Sequence, residues 1–152
     1  MRREVKWVTA QNVRLDRVAC PWLIVRFIDD EAEFGFVPPE QVLAVAEREQ
    51  ALSFAAPGAR YTRRDGKCTF EVLIEEFNLV APGLDRLARI VHAAEIAGEL
   101  DRAPEGAGLR AIAEGFALDV ESDVERQHLQ WPLYDALLAW CARQEAGEGG
   151  VE

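Results

Sequence analysis

Three groups of residues have types and spacings that could do chemistry. The first is Asp16-Arg17-Val18-Ala19-Cys20-Pro21-Trp22-Leu23-Ile24. Cys20 precedes a proline, and proline suits the first turn of a helix because its missing N–H has no partner there. A thiol at a helix N-terminus lies beside partial positive charge, which favours thiolate, and Arg17 would add to it. Cys20 is therefore a candidate catalytic, redox or metal-binding thiol. The alternative is a buried small hydrophobe, the common fate of a free cysteine.

The second group is Arg60, Arg63, Arg64 and Lys67, four cations within eight positions, directly before Cys68. Such a cluster could hold an oxyanion by charge-assisted hydrogen bonds, with backbone N–H groups of a following helix adding donors. Against this stands simple pairing with nearby acids. Asp16, Arg17, Arg63, Arg64 and Cys68 are the candidate ligand-binding residues.

The third group pairs Glu71 with Glu75, four apart, and His92 with Glu95, three apart. Residues at these spacings share a helix face. Two adjacent helices could offer three carboxylates and one imidazole to a divalent transition metal, a style of site known in helical clusters. It lacks the second histidine of the usual di-iron pattern, and a solvated helix face is the competing reading. His128, near Trp131, is assigned to local packing.

Other chemistries are absent. There is no G-x-G-x-x-G, P-loop, G-x-S-x-G or H-E-x-x-H, and serine occurs only at 53 and 122. The cysteines, Cys20, Cys68 and Cys141, are three and far apart. That does not suggest a disulfide framework, and it excludes a self-contained four-cysteine zinc site.

The elements that must position these groups fall into two halves. Residues 5–9 are expected as a strand, followed by a helix from Cys20 to Ile28 with Leu23, Ile24, Phe27 and Ile28 at helical spacing. Residues 33–37 form a second strand, stopped by Pro38-Pro39. A helix over 39–49 and a third strand over 51–54 follow, then a loop over 57–67 with a turn at Asp65-Gly66. Beyond it the pattern is helical: 69–77, 82–97, 104–116, and a last helix capped by Asp119 or Ser122 and broken or kinked at Pro132. The fold class is α+β and helix-dominated, a small β-sheet with crossover helices followed by a helical cluster. Residues 1–146 make one domain, and 147–152 a frayed tail.

The chain has 152 residues, 49% hydrophobic and 29% charged, enough for a core without staples. Seventeen basic against 27 acidic residues give a net charge of −10. Residues 1–67 carry 11 basic and 10 acidic residues, and 68–152 carry 6 and 17. The front half could host an anion locally while the back half would repel one, although a solvated acidic helical face is the competing reading for most of those carboxylates. This balance argues against direct nucleic-acid binding. No apolar run reaches bilayer-spanning length, and the N-terminus lacks a signal peptide's apolar stretch. A cytoplasmic protein with no membrane partner is expected, and a homo-oligomer is left open.

The motif from Asp16 to Ile24, continued by Arg26-Phe27-Ile28-Asp29, resembles the C-terminal domain of ChrB-type chromate-resistance proteins. Glu31 to Phe34, Phe36-Val37-Pro38, Cys68-Thr69-Phe70-Glu71, Leu84 to Glu95, Ala103-Pro104-Glu105, Gly108-Leu109, Ala111-Ile112 and Tyr134 to Leu137 continue the likeness from about Trp7 to Cys141. The resemblance implies a link to chromate resistance. Some members act as chromate-responsive regulators of an efflux gene, as longer proteins with an additional N-terminal domain. This sequence begins almost at the C-terminal domain. Where relatives carry a Ser-His pair it has Thr62-Arg63, and where they have an arginine and an aspartate it has His92 and Glu95.

The resulting expectation is a cytoplasmic domain that senses or handles a small inorganic anion or a metal ion. Asp16, Arg17, Cys20, Arg63, Cys68, Glu71, His92 and Glu95 would line its site. Two alternatives remain: a small metal- or thiol-dependent redox enzyme, and an interaction module partnering a separate DNA-binding subunit.

Overall fold

A computed structural model describes residues 6–149. Its sheet has three parallel strands in the order β2-β1-β3: β1 (Lys6–Ala10), β2 (Glu33–Val37) and β3 (Leu52–Ser53). Trp7 pairs with Phe34 on one side and Leu52 on the other. As the central strand, β1 is buried from Trp7 to Ala10, as expected when helices cover both faces of a parallel sheet. Trp7 joins the main core. Val8 and Ala10 turn the other way, onto Val42 and Val45 of α2 (Val42–Glu49).

The expected α+β, helix-dominated architecture is present. Helix α1 (Asp16–Leu23) crosses from β1 to β2 and ends in a π turn, Ile24–Ile28. Then come α3 (Thr69–Glu76), α4 (Leu84–Glu95), α5 (Glu105–Asp119) and α6 (Asp123–Gly149). No helix among the described residues is long and apolar enough to cross a membrane.

Four expectations are corrected. The first helix begins at Asp16, not Cys20, so Pro21 lies inside it. A helix tolerates a proline there because burial of Val18, Ala19, Cys20, Trp22 and Leu23 outweighs one lost backbone bond. The third strand is only two residues long; Phe54 still donates its N–H to the Val8 carbonyl at 3.1 Å but pairs beyond it with Tyr61. Asp119 ends α5; Ser122 is the acceptor at the start of α6, 3.3 Å from the Glu125 N–H. Finally, α6 passes through Pro132 without ending and continues through Gly147 to Gly149. Val5, at the start of the expected first strand, and Gly150 to Glu152 of the tail lie outside the described residues.

The helices approach closely where side chains are missing. Gly83 sits at φ +81°, and a Cβ there would lie 2.4 Å from the Ala142 backbone nitrogen. Its N–H donates to Glu145 of α6 at 2.7 Å. A Cβ on Gly106 would lie 2.8 Å from that of Ala93, so α5 rests directly on α4. The start of α6 is tied to the loop before α1. Asp123 accepts the N–H groups of Asn12 and Val13, and buried Arg126 donates to Val13 and Ala117 carbonyls at 3.2 and 2.9 Å. Farther along, Asp135 accepts from the Trp22 indole at 2.9 Å and from Arg26 by two bonds.

Candidate functional site

The residues singled out by type gather at the N-terminus of α3, in two adjoining groups. Asp16, the first residue of α1, directs its carboxylate to the start of α3. It accepts the N–H of Thr69 at 3.0 Å and of Phe70 at 3.2 Å, the first two residues of α3. Cys20, one turn on, donates its S–H to the same carboxylate at 3.3 Å. Burial, and then the nearby Glu95 charge, push the Asp16 carboxyl up to about 6; the three hydrogen bonds oppose that rise.

Glu95, the last residue of α4, closes this group. One carboxylate oxygen accepts the Asp16 backbone N–H at 3.1 Å and the other accepts from Arg63 at 2.6 Å. Asp16, Arg17, Thr62, Arg63, Thr69 and Glu95 line a cleft of about 540 Å³ with the backbone around Pro57. Arg17 reaches the Asn12 carbonyl at 3.3 Å, while its Nε is buried without a hydrogen-bond partner.

The second group lies on the other side of the same helix end. Cys68 and Glu71 form a capping box, with cysteine where serine or threonine is usual. The Cys68 N–H donates to Glu71 at 3.0 Å. The same Glu71 oxygen lies 2.6 Å from Nδ1 of His92, reaching across from α4. Nε2 of His92 is buried without a hydrogen bond, 3.6 Å from a Glu99 oxygen. One ligand atom from each of Cys68, Glu71 and His92 falls within 4.8 Å of the others. Ligands of a tetrahedral ion at ~2.0–2.3 Å sit roughly 3–4 Å apart, so small side-chain shifts suffice.

The electrostatics separate these residues from the ones only expected to join them. Glu75 faces Lys67 and Arg64, and the Lys67 hydrogen bond holds its carboxyl below the usual range. Arg64 also pairs with Glu76. Glu95 lies with Asp16 and Arg63 rather than with His92. Of the expected metal set, the structure brings together Glu71 and His92. Cys20 is fully buried, and burial, then the Asp16 charge, push its thiol up. It is not at the helix N-terminus, so the physical reason for a reactive thiolate is absent. Burial likewise raises the Cys68 thiol.

The match to known proteins covers these same elements. The family model described as ChrB, C-terminal domain, matches residues 7–141. This chain belongs to the ChrB C-terminal domain family. Protein ChrB of Cupriavidus metallidurans is 37% identical over 111 residues, which is 72% of this chain and 32% of that protein. The chain thus spans about a third of that relative's length. No solved structure matches.

Within this ChrB C-terminal domain, the residues of the resemblance acquire physical roles. Asp16 caps α3 from another helix, Cys68 and Glu71 cap it from within, and Asp135 anchors Trp22. Sequence reasoning missed Glu99 beside His92, and Thr62 and Thr69 in the cleft. The spacing Cys68-x-x-Glu71 was the available signal for the capping box. Nothing local marks Glu99, which reaches His92 only because a 3-10 turn, Leu100–Arg102, folds the chain back after α4.

Proposed function

We propose that this chain is a cytoplasmic chromate-resistance domain that handles a transition-metal ion through Cys68, Glu71 and His92. The observation that carries the reading is the convergence of these three donors, from the start of α3 and the face of α4, within 4.8 Å. Thiolate, imidazole and carboxylate together suit a borderline ion such as Zn²⁺ or Co²⁺ better than Mg²⁺ or Ca²⁺. Glu99 stands on the far side of the imidazole, where a carboxylate can orient a ligating histidine. Metal binding would displace the Cys68 proton, so affinity rises with pH. Membership in the ChrB family supports the chromate-resistance setting. An oxyanion on the 60–67 loop has less support, because Arg63, Arg64 and Lys67 are already paired with Glu95, Glu75 and Glu76.

The test is elemental analysis of the purified, tag-free protein, followed by Co²⁺ titration monitored in the near-ultraviolet for a thiolate band. One metal per chain is expected, lost in Cys68→Ser and His92→Ala and kept in Glu75→Gln. A protein that carries no metal and takes up neither Co²⁺ nor Zn²⁺ overturns the reading.

The interaction-module reading has its own support. An apolar groove of about 350 Å³ runs between α5 and α6, lined by Leu109, Ile112, Leu133, Leu137 and Trp140. Ile112 and Trp140 are exposed, as at many docking sites. Ile112→Lys would abolish capture of a ChrB-type DNA-binding subunit if this groove holds it. Unchanged capture would remove the groove from that role.

A further inference from the structure

A separate cleft, of about 280 Å³, opens between α4 and the start of α5. Arg86 and Arg89, one turn apart on α4, and Arg102, on the turn before α5, all line it. Residues 68–152 hold only six basic residues against 17 acidic ones. Three of those six meet here, in the half of the chain where cations are scarcest. The Arg89 side chain makes no hydrogen bond or ion pair among the described residues, and it lies on the exposed side of α4. Arg102 gives Nε–H to Glu99 at 2.9 Å, which leaves its terminal nitrogens for another acceptor. A single carboxylate, Glu105, shares the lining. The cleft also faces the N-terminal end of the 15-residue helix α5, whose N-cap, Pro104, supplies no side-chain cap. The Gly106 N–H already donates to the Ala103 carbonyl at 3.0 Å, so the helix adds its dipole rather than a full set of donors.

We propose that this cleft binds a tetrahedral inorganic oxyanion of the sulfate or phosphate type between Arg89 and Arg102. Guanidinium groups bind such anions by paired N–H···O bonds, and two of them approaching from different elements define a place for one ion. The site touches the metal reading only through Glu99, which accepts from Arg102 and lies 3.6 Å from Nε2 of His92. It shares no residue with Cys68, Glu71 and His92, and it lies apart from the cleft beside Asp16.

The experiment is calorimetric titration of sodium sulfate, then sodium phosphate, into the full chain at low ionic strength. One saturable site is expected. Arg89→Gln with Arg102→Gln, both at exposed positions, weakens it at least tenfold; Arg17→Gln with Arg63→Gln leaves it unchanged. Glu105→Gln removes the opposing charge and tightens binding severalfold. No saturable binding, an Arg89/Arg102 variant that binds like the parent, or a Glu105→Gln variant that does not bind more tightly each overturns the proposal. Loss confined to the Arg17/Arg63 variant does the same and moves the anion to the larger cleft.

Discussion

The backbone N–H of Asp16 donates to Glu95 at 3.1 Å while the Asp16 side chain accepts two N–H groups from the start of α3. One residue thus joins three helices: α1 through its own backbone, α4 through Glu95, and α3 through its carboxylate. Replacing it by alanine orphans two buried N–H groups, and each costs about 1–3 kcal/mol. Asp16→Ala is expected to lower unfolding stability by several kcal/mol in urea titrations. A loss under 1 kcal/mol would show that water or another side chain takes over the cap.

The same carboxyl makes stability depend on pH. Its folded pKa, about 6, lies above its ordinary value of 3.8. The native state therefore holds this proton more tightly than the unfolded chain does. The contribution favours folding below about pH 4, and it is lost as pH rises through 6. Two units amount to at most ~3 kcal/mol. The unfolding free energy of the parent minus that of Asp16→Asn, which does not titrate, should fall by up to ~3 kcal/mol between pH 4 and pH 7. A difference that rises toward pH 7 would reverse the sign.

All three cysteines are buried and free. In the native protein they should resist a disulfide reagent such as dithionitrobenzoate, and all three should react once guanidinium unfolds the chain. A stoichiometric, rapid reaction in the native state, lost in Cys20→Ser, would restore a thiol role for Cys20.

Gly106 and Gly108 lie on one helix, two positions apart, and should respond oppositely. A Cβ at Gly106 meets Ala93, whereas one at Gly108 meets nothing within 4 Å. Gly106→Ala should cost roughly 1–3 kcal/mol through overpacking. Gly108→Ala should add about 0.5–1 kcal/mol through the unfolded chain's lost freedom. Thermal melts of the two variants check this. Equal effects would mean that α5 does not sit against α4 as described.

The tie between α1 and α6 separates a partly buried hydrogen bond from an exposed ion pair. Asp135→Asn keeps an acceptor for the Trp22 indole but removes the charge facing Arg26. The pair is half-exposed on both sides, so this change should cost under about 1 kcal/mol. Asp135→Leu also strands the indole N–H and should cost roughly 1–3 kcal/mol more. Similar losses in both variants would assign the stabilisation to the ion pair instead.

Much of the fold was legible from local pattern. Period-two and period-3.6 spacing marked the strands and helices, because each element must bury one face or stripe. The helix-dominated α+β class followed from their order. Element ends were less legible. Pro21 and Pro132 looked like boundaries because proline's backbone cost is local, whereas the burial that overrides it comes from packing partners distant in sequence. Glu71 and His92 could be placed in one candidate set of four with Glu75 and Glu95, since each lies on a predicted helix and the helices are neighbours in sequence, but the set could not be sorted further. What only the tertiary structure decided was the sorting of charged residues. Glu75 went to the loop cations, Glu95 to Asp16 and Arg63, and three arginines from the acidic half to one cleft. Composition lists how many charges a chain carries; which ones meet depends on how helices rotate and cross, and that is set by the packing of their apolar faces.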